Sequence, residues 1–315
     1  MVIRTLKWYQ KRVQTLRSKP QPEQKSKEWF HIRNTLITAS EAASCLTLSK
    51  KVCENYVKAF NITNFKYNET KCANVYENKT DYIIKKCKAF NGEQVFFDNI
   101  YTLWGKKYEE VAVNLYKKLK NTQVYEFGLL KHPRLNWLGA SPDGITENGV
   151  MLEIKCPYSR KINDTIPPFH YYVQVQIQLE VGMLDEADFL ECEIKEYNSF
   201  EEYQDDISDV LKGIVLELND GSFIYQSCNK DPFLWANDQI ILLNESVNIY
   251  YYYISKYNII NIKRDPDWFE NVKLDLKKVY DEVRQYQTNP EMLQNLLNIK
   301  NKKHIDNINN SICSI

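Results

Sequence analysis

Carboxylate and lysine side chains lie close together near the middle of this 315-residue sequence. We expect a hairpin there, with Asp143 in its Pro-Asp-Gly turn and with Glu153 and Lys155 on its second strand. Because side chains alternate along a strand, Glu153 and Lys155 share one predicted face, and Leu152 and Ile154 lie buried behind them. Paired carboxylates suit a hard cation such as Mg²⁺, and a neighbouring lysine can orient or help deprotonate a bound water. This combination suits the metal-assisted hydrolysis of a phosphodiester.

Each part of this segment also has a purely structural interpretation. A Pro-Asp-Gly sequence usually forms a β-turn, and Glu-x-Lys on a strand is usually a solvated face with a weak ion pair. The combination favours chemistry, because the turn aspartate and the Glu-x-Lys strand are preceded by an acidic helix and followed by a glutamine-rich segment.

The spacing of apolar residues predicts the helices around this segment. Residues 23–46 indicate a helix, a turn at Ile37-Thr38-Ala39 and a second helix that Ser40 opens as its N-cap. Residues 103–120 form an amphipathic pattern typical of a helix, as do residues 268–283, and a polar tail follows from about residue 289.

Alternation of apolar and polar residues predicts strands at 125–129, 135–140, 150–154 and 189–197. Residues 171–183 are ambiguous, because Val173, Val175 and Ile177 alternate as in a strand, whereas Gln174 and Gln178 are four apart as on a helix face. Periodicity alone favours a strand there.

The order of these elements predicts a fold of the α/β (α+β) class, a small mixed β-sheet flanked by helices. We find no internal repeat and no Gly/Pro/Ser-rich linker. We therefore expect a core with its N-terminal helical region at 1–200 and a C-terminal extension, packed on that core, at 201–315.

Charge is balanced over the whole chain but not along it. The sequence has 41 basic and 41 acidic residues, which excludes the globally basic surface of a passive nucleic-acid coat protein. Residues 1–27 hold eight Lys or Arg against one acid, and residues 180–220 are strongly acidic. This asymmetry suits a basic entry for nucleic acid with a repelling rim, and it also suits two solvated helical faces.

Eight scattered cysteines form no CxxC pair, so neither a zinc site nor a disulfide framework is expected. The sequence contains no apolar stretch long enough for a signal peptide or a membrane span. We expect an intracellular protein in a reducing compartment, neither secreted nor bound to a membrane.

Five ordered blocks resemble the lambda-exonuclease-like, or YqaJ-type, viral recombinase nucleases of the PD-(D/E)XK superfamily. The blocks are Trp29 with Arg33 and Ile37-Thr-Ala-Ser40, Trp104-Gly-Lys-Lys-Tyr-Glu109, Ser141-Pro-Asp-Gly144, Leu152-Glu-Ile-Lys-Cys-Pro157 and Tyr172-Val-Gln-Val-Gln176. Each block alone would be weak, and their common order makes the signal strong. The resemblance implies a restriction-endonuclease-like core with helical additions at both ends, and it places the segment around Gln174 on a helix.

The resemblance also implies the roles of the site residues. Asp143, Glu153, Glu109 and the main-chain carbonyl of Ile154 would hold metal, Lys155 would activate the attacking water, and Gln174 would complete the catalytic set. The helical position agrees, since Glu109 lies roughly 110° from the centre of the apolar face and its neighbour Glu110 roughly 150°. We therefore expect Glu109 to face the sheet and Glu110 to face solvent.

A pocket for a terminal 5′ phosphate is implied as well, formed by Arg33, Ser40 and Ser141, with Arg160 as a further candidate. A helix N-terminus and an arginine fork both bind phosphate well. Ser40 as a simple cap and Arg33 as a surface side chain are equally compatible with the sequence.

The function implied by the resemblance is 5′-to-3′ degradation of linear duplex DNA, leaving 3′ single-stranded tails for recombination or repair. The expected cofactor is Mg²⁺, as two ions, with Mn²⁺ able to substitute. The expected partners are DNA, a single-strand annealing protein and further copies of this chain. An endonuclease, an RNA-degrading member of the same superfamily and a catalytically silent nucleic-acid-binding scaffold are the alternatives.

Overall fold

The computed structural model describes residues 4–93, 99–226, 231–243 and 246–312, with only the backbone described beyond residue 302. Helices and strands alternate along these residues. The helices are α1 Leu6–Arg17, α2 Lys27–Asn34, α3 Lys50–Ala59, α4 Lys79–Phe90, α5 Ile100–Lys120, α6 Phe169–Gly182, α7 Phe200–Asp205, α8 Pro232–Leu243, α9 Pro266–Thr288 and α10 Pro290–Ile312, with a 3-10 helix at Ala39–Cys45. The strands are β1 Ile37–Thr38, β2 Thr47–Leu48, β3 Asn68–Cys72, β4 Val124–Tyr125, β5 Leu130–Lys131, β6 Leu138–Ala140, β7 Gly144–Thr146, β8 Met151–Lys155, β9 Glu186–Glu196, β10 Leu211–Glu217, β11 Phe223–Tyr225 and β12 Asn248–Lys263.

The main sheet has seven strands in the order β11-β10-β12-β9-β8-β7-β4. Strands β8 and β9 are parallel and are joined through α6, whereas their neighbours pair antiparallel. Two smaller sheets, β1-β6-β5 and β2-β3, lie beside it. The mixed sheet with flanking helices confirms the predicted fold class.

Helices cover both faces of the main sheet. On one side, buried residues of α5 such as Tyr108 and Tyr116 pack against Leu152 and Ile154 of β8. On the other side, α6 and α9 form the larger core, where Trp268 is fully buried and donates its indole N–H to the carbonyl of Val52 at 2.8 Å. Strand β8 is buried from Met151 to Ile154, as expected for a central strand that is covered on both faces.

Strands from the C-terminal part of the chain extend the same sheet. All of β9 pairs with β12, with one bulge between Ile254 and Lys256 of β12. The other side of β12 pairs with β10. No helix in the parts of the chain that the structure describes is long and apolar enough to cross a membrane.

The strand that periodicity predicts for residues 171–183 is wrong, because the structure has helix α6 there. The helix implied by the resemblance is confirmed. The helix is buried on nearly its whole circumference, so its apolar residues need not lie on one face. The side chain of Gln176 shows how a polar residue of this helix is accommodated in the core. The amide of Gln176 donates to the carbonyl of Lys263 and accepts from the N–H of Asp265, both at 2.8 Å.

The predicted helix start at Ser40 is also wrong. The residue that caps this short 3-10 helix is Thr38, which has extended backbone, and Glu41 closes a capping box with it. Ser40 lies inside the first turn instead. Of the helix expected from residue 23 onward, only Lys27–Asn34 forms, with Ser26 as its cap.

Three further boundaries differ from the predictions. The hairpin of β7 and β8 turns at residues 147–150, and Asp143 lies before β7 rather than in that turn. Of the strand expected at 125–129, only Tyr125 lies in a strand, β4, and the next strand, β5, begins at Leu130 and belongs to a different sheet. The predicted polar tail from about 289 is the helix α10.

Candidate active site

The pairing of β7 with β8 brings the two central carboxylates together. Gly144 pairs with Leu152, so Asp143, one residue before the strand, lies opposite Glu153. The carboxylate of Asp143 accepts the main-chain N–H of Ile154 at 2.6 Å. The proximity expected from the sequence is therefore present, although Asp143 reaches it from the entrance of a strand and not from a turn.

The Glu153 carboxylate is fully buried and is held by three donors. Its Oε1 accepts from Lys155 Nζ and from Gln174 Nε2, the latter at 2.6 Å, and its Oε2 accepts from Gln178 Nε2 at 2.5 Å. Lys155 and Gln174 are site residues expected from the sequence, whereas Gln178 is not. The available signal was the spacing of four residues between the two glutamines, which places both on one face of a helix.

Glu109 lies where α5 crosses the end of β8. The Cys156 thiol, just beyond β8, contacts the carbonyl oxygen of Tyr108 at 3.6 Å, which fixes this crossing. Glu109 is partly buried, and its pKa responds to the charges of Lys155 and Glu153. Its neighbour Glu110 is about one-third exposed and lies 3.6 Å from Lys117 on the same helix.

The carboxylates of Asp143, Glu153 and Glu109 lie close enough to repel one another, and the neighbouring cations do not fully neutralise them. Burial, followed by the charges of Glu153 and Glu109, raises the pKa of Asp143 well above its usual range. Burial also raises the pKa of Glu109. For Lys155, burial alone would lower the pKa, but the charges of Glu153 and Asp143 outweigh it and raise the pKa, so this side chain is an ammonium group.

An oxygen donor set of this kind suits a hard divalent cation, which would relieve the repulsion between the carboxylates. Within the described ranges, no three His, Cys, Asp or Glu side chains converge closely enough to hold an ion as they stand. Both oxygens of Glu153 are engaged by Lys155 and the glutamines, so loading would require these side chains to shift. The carbonyl of Ile154 as a ligand stays a prediction.

The residues of the predicted phosphate pocket lie together at the N-terminal side of the core. Arg33 Nη2 donates to Ser40 Oγ at 2.7 Å, and its guanidinium lies 4.8 Å from the centre of the Trp29 ring. The Trp29 indole N–H in turn donates to Ser141 Oγ at 2.9 Å. Trp29 therefore links Arg33 to the segment that carries Asp143.

Arg160 lies apart from that pocket, beside Lys155. Its guanidinium is paired with the fully buried carboxylate of Glu191, whose strand position is directly opposite Lys155. Both cations face the ring of Tyr171, at 5.8 and 5.1 Å from its centre. Arg160 is thus placed near the carboxylates, and sequence reasoning missed Glu191, the anion that holds it.

A third residue that sequence reasoning missed is Lys25. It is one of four non-glycine residues in the described ranges with left-handed backbone, at φ 67°. The adjacent Gln24 holds the segment in place, because its amide donates to the carbonyls of Phe127 and Pro142 at 2.8 and 3.1 Å. Among the neighbouring cations, Lys25 lowers the pKa of Glu109 the most.

Comparison with known proteins gives a family and several similar structures. The model of the YqaJ-like viral recombinase domain matches residues 28–185, half of the chain, and agrees with the five blocks found in the sequence. The chain is 28% identical over 351 aligned positions to the uncharacterised protein R354 of Acanthamoeba polyphaga mimivirus. That alignment covers 94% of this chain and 59% of the relative, so the chain spans less than two thirds of the relative's length.

Among solved structures, the fold is similar to an alkaline exonuclease (LHK-Exo) from Laribacter hongkongensis, with a TM-score of 0.47, 18% identity and coverage of 89% of this chain and 98% of that chain. The complex of LHK-Exo with dAMP gives a TM-score of 0.48, with 17% identity and the same coverage. A phage-related exonuclease from Haemophilus somnus gives 0.40, with 12% identity over 76% of this chain and 96% of that chain.

Proposed function

Because the chain belongs to the YqaJ-like viral recombinase domain family, we propose that it is a metal-dependent deoxyribonuclease that degrades linear duplex DNA from its ends. The observation that carries this proposal is the buried Glu153 carboxylate, opposite Asp143 and in contact with Lys155. A buried carboxylate with a second one beside it is unfavourable unless a cation binds there, so the arrangement makes sense as a metal site.

We propose Mg²⁺ as the cofactor, as two ions, with Mn²⁺ able to replace it. When bound, it would polarise the scissile phosphate, lower the pKa of the attacking water and stabilise the departing oxygen. Asp143, Glu153 and Glu109 would hold it. Gln174 and Gln178 fix the orientation of Glu153 through their amide N–H groups.

Lys155 acts in this proposal as a fixed positive charge. Its raised pKa keeps it protonated, so it orients water and stabilises charge on the phosphate rather than removing a proton as a free amine. Arg160, held by Glu191 beside it, adds a second cation for the DNA backbone on the same side.

The direction of digestion would be set by the pocket of Arg33, Ser40 and Ser141, which we propose binds a 5′ phosphate. Digestion would then run from 5′ to 3′ and leave 3′ single-stranded tails for recombination or repair. A single-strand annealing protein and further copies of this chain are the proposed partners.

The test is digestion of linear duplex DNA with a phosphate or a hydroxyl at the 5′ end, in Mg²⁺ or in EDTA, by the wild-type protein and by Lys155→Ala. We expect progressive loss from the phosphorylated end, abolished by EDTA and by the variant. Cutting of circular DNA or of RNA would replace this function with the endonuclease or the RNA-degrading alternative. Binding without any cutting would favour a silent scaffold.

The chain contains a matched control for this variant. Strand β9 carries the same tripeptide, Glu193-Ile194-Lys195, as the Glu153-Ile154-Lys155 of β8. The side chain of Lys195 is 55% exposed, against 25% for Lys155, and it lies 3.6 Å from Glu193. Lys195→Ala should digest DNA at the wild-type rate. An equal loss in both variants would contradict the assigned site.

A further inference from the structure

A buried ion pair lies directly beneath the proposed phosphate pocket. The Lys86 side chain is 2% exposed, and its Nζ lies 2.8 Å from Glu41 Oε2. The same ammonium group donates to the main-chain carbonyl of Arg33 at 2.8 Å. Lysine is among the residues least often buried, and a buried pair of this kind adds little to stability compared with apolar residues. Stability therefore does not account for the buried Lys86–Glu41 pair, and we look for a functional role.

The contacts of Glu41 are unequal. Its Oε2 accepts from Lys86 and from Thr38 Oγ1, at 2.8 and 2.7 Å. Its Oε1 lies 3.8 Å from Arg33 Nη2 and 3.9 Å from Lys85 Nζ, beyond hydrogen-bond distance. Burial alone would raise the pKa of Glu41, but Lys86 first, and then Arg33 and Lys85, lower it, so Glu41 is an anion.

Arg33 consequently keeps a usable charge. Its described hydrogen bond from Nη2 goes to the neutral hydroxyl of Ser40, and its guanidinium lies over a neutral ring. Arg33 and Lys86 carry two positive charges against the one negative charge of Glu41. The surplus lies at the mouth of the pocket, where a dianionic phosphate would meet it.

We propose that Lys86 is a positioning residue that holds Glu41 away from Arg33 and so keeps the Arg33 guanidinium free to bind the terminal 5′ phosphate. This inference rests on the proposed end-binding function. Without the ammonium group, Glu41 would be a buried anion whose nearest remaining cations are Arg33 and Lys85. A short rotation would then close the 3.8 Å gap and neutralise Arg33.

The experiment measures binding of duplex oligonucleotides with a phosphorylated or a hydroxyl 5′ end, by fluorescence anisotropy in EDTA so that no cleavage occurs. The proteins are wild type, Lys86→Met, the double variant Lys86→Met with Glu41→Gln, and Lys85→Met as the matched neighbour. Lys86→Met should lose roughly tenfold of the preference for phosphate, the worth of one charge-assisted contact. The double variant should regain it, because no anion is left to capture Arg33.

The outcomes separate the inference from the function on which it rests. A wild-type protein with equal affinity for both ends would remove the phosphate pocket and this role of Lys86 together. A wild-type preference that survives in Lys86→Met, or that the double variant fails to restore, would overturn the role of Lys86 alone. An equal loss in Lys85→Met would also overturn it, since it would show a general effect of charge. If Lys86→Met melts below the assay temperature, the same comparison is made below its Tm, where a preference equal to that of the wild type would overturn the role of Lys86.

Discussion

The side chain of Gln178 gives a direct measure of how the Glu153 carboxylate is held. In Gln178→Leu, the hydrogen bond of 2.5 Å to Glu153 Oε2 is lost, while the other oxygen keeps its donors Lys155 and Gln174. A bond to an ionised acceptor contributes about 2–3 kcal/mol. The substitution also removes Gln178 Oε1, a buried acceptor without a partner in the described residues, which returns about 1 kcal/mol.

The net loss is about 1–2 kcal/mol, so the Tm of this metal-free, 315-residue protein should fall by about 1.5–3 °C. The assay is a double-mutant cycle with Glu153→Gln, followed by thermal denaturation. With a neutral acceptor the bond contributes less, and we expect Gln178→Leu to cost about 1 kcal/mol less in that background. Gln176→Leu is the matched control, because its partners are the main-chain groups of Lys263 and Asp265. An equal Tm drop from Gln178→Leu in both backgrounds would refute the reasoning.

Three further predictions concern pH, packing and end recognition. Burial and then two neighbouring cations lower the pKa of His170 to about 4, so the free energy of unfolding decreases as pH falls from about 6.5 through 4. His170→Phe should make this decrease about 3 kcal/mol smaller, as measured by denaturation at pH 7 and pH 4. Gly128→Ala should lower stability by about 1–3 kcal/mol in the same assay, because the added Cβ would lie 1.9 Å from the carbonyl oxygen of Pro22; an unchanged Tm would contradict this contact. Trp29→Phe keeps an aromatic face but loses the bond to Ser141, so affinity for phosphorylated ends should fall about threefold, and an unchanged affinity would show that the indole N–H is dispensable.

The central carboxylates could be predicted from the sequence because their geometry is local. Asp143, Glu153 and Lys155 lie on a hairpin, where the pairing of adjacent strands and the alternation of side chains decide which groups meet. The tripeptide shared with β9 shows the limit of such reasoning. What distinguishes Glu153 from Glu193 is burial beneath α6 and the presence of Asp143 opposite, and both depend on the fold.

The missed residues depend on contacts between distant parts of the chain. Gln178 reaches Glu153 only because α6 is a helix, and a helix buried on all sides loses the periodicity that identifies it. Glu191 holds Arg160 from a neighbouring strand that is parallel, a pairing set by the crossover through α6. The cap of the 3-10 helix was mistaken by two residues because Thr38 and Ser40 are both good caps, and the capping box of Glu41 selects the first.

The position of β12 in the sheet has a consequence for how this protein is made. Strand β9 ends at Glu196, and the strand that covers its free side begins at Asn248. At ribosomal speeds of about 5–20 residues per second, roughly 50 residues take several seconds to synthesise. During that time an 11-residue strand presents unpaired N–H and C=O groups, the kind of edge on which nascent chains pair with one another. A polypeptide released before β12 is translated would keep this edge open permanently, so premature termination leads toward aggregation rather than toward a smaller folded protein.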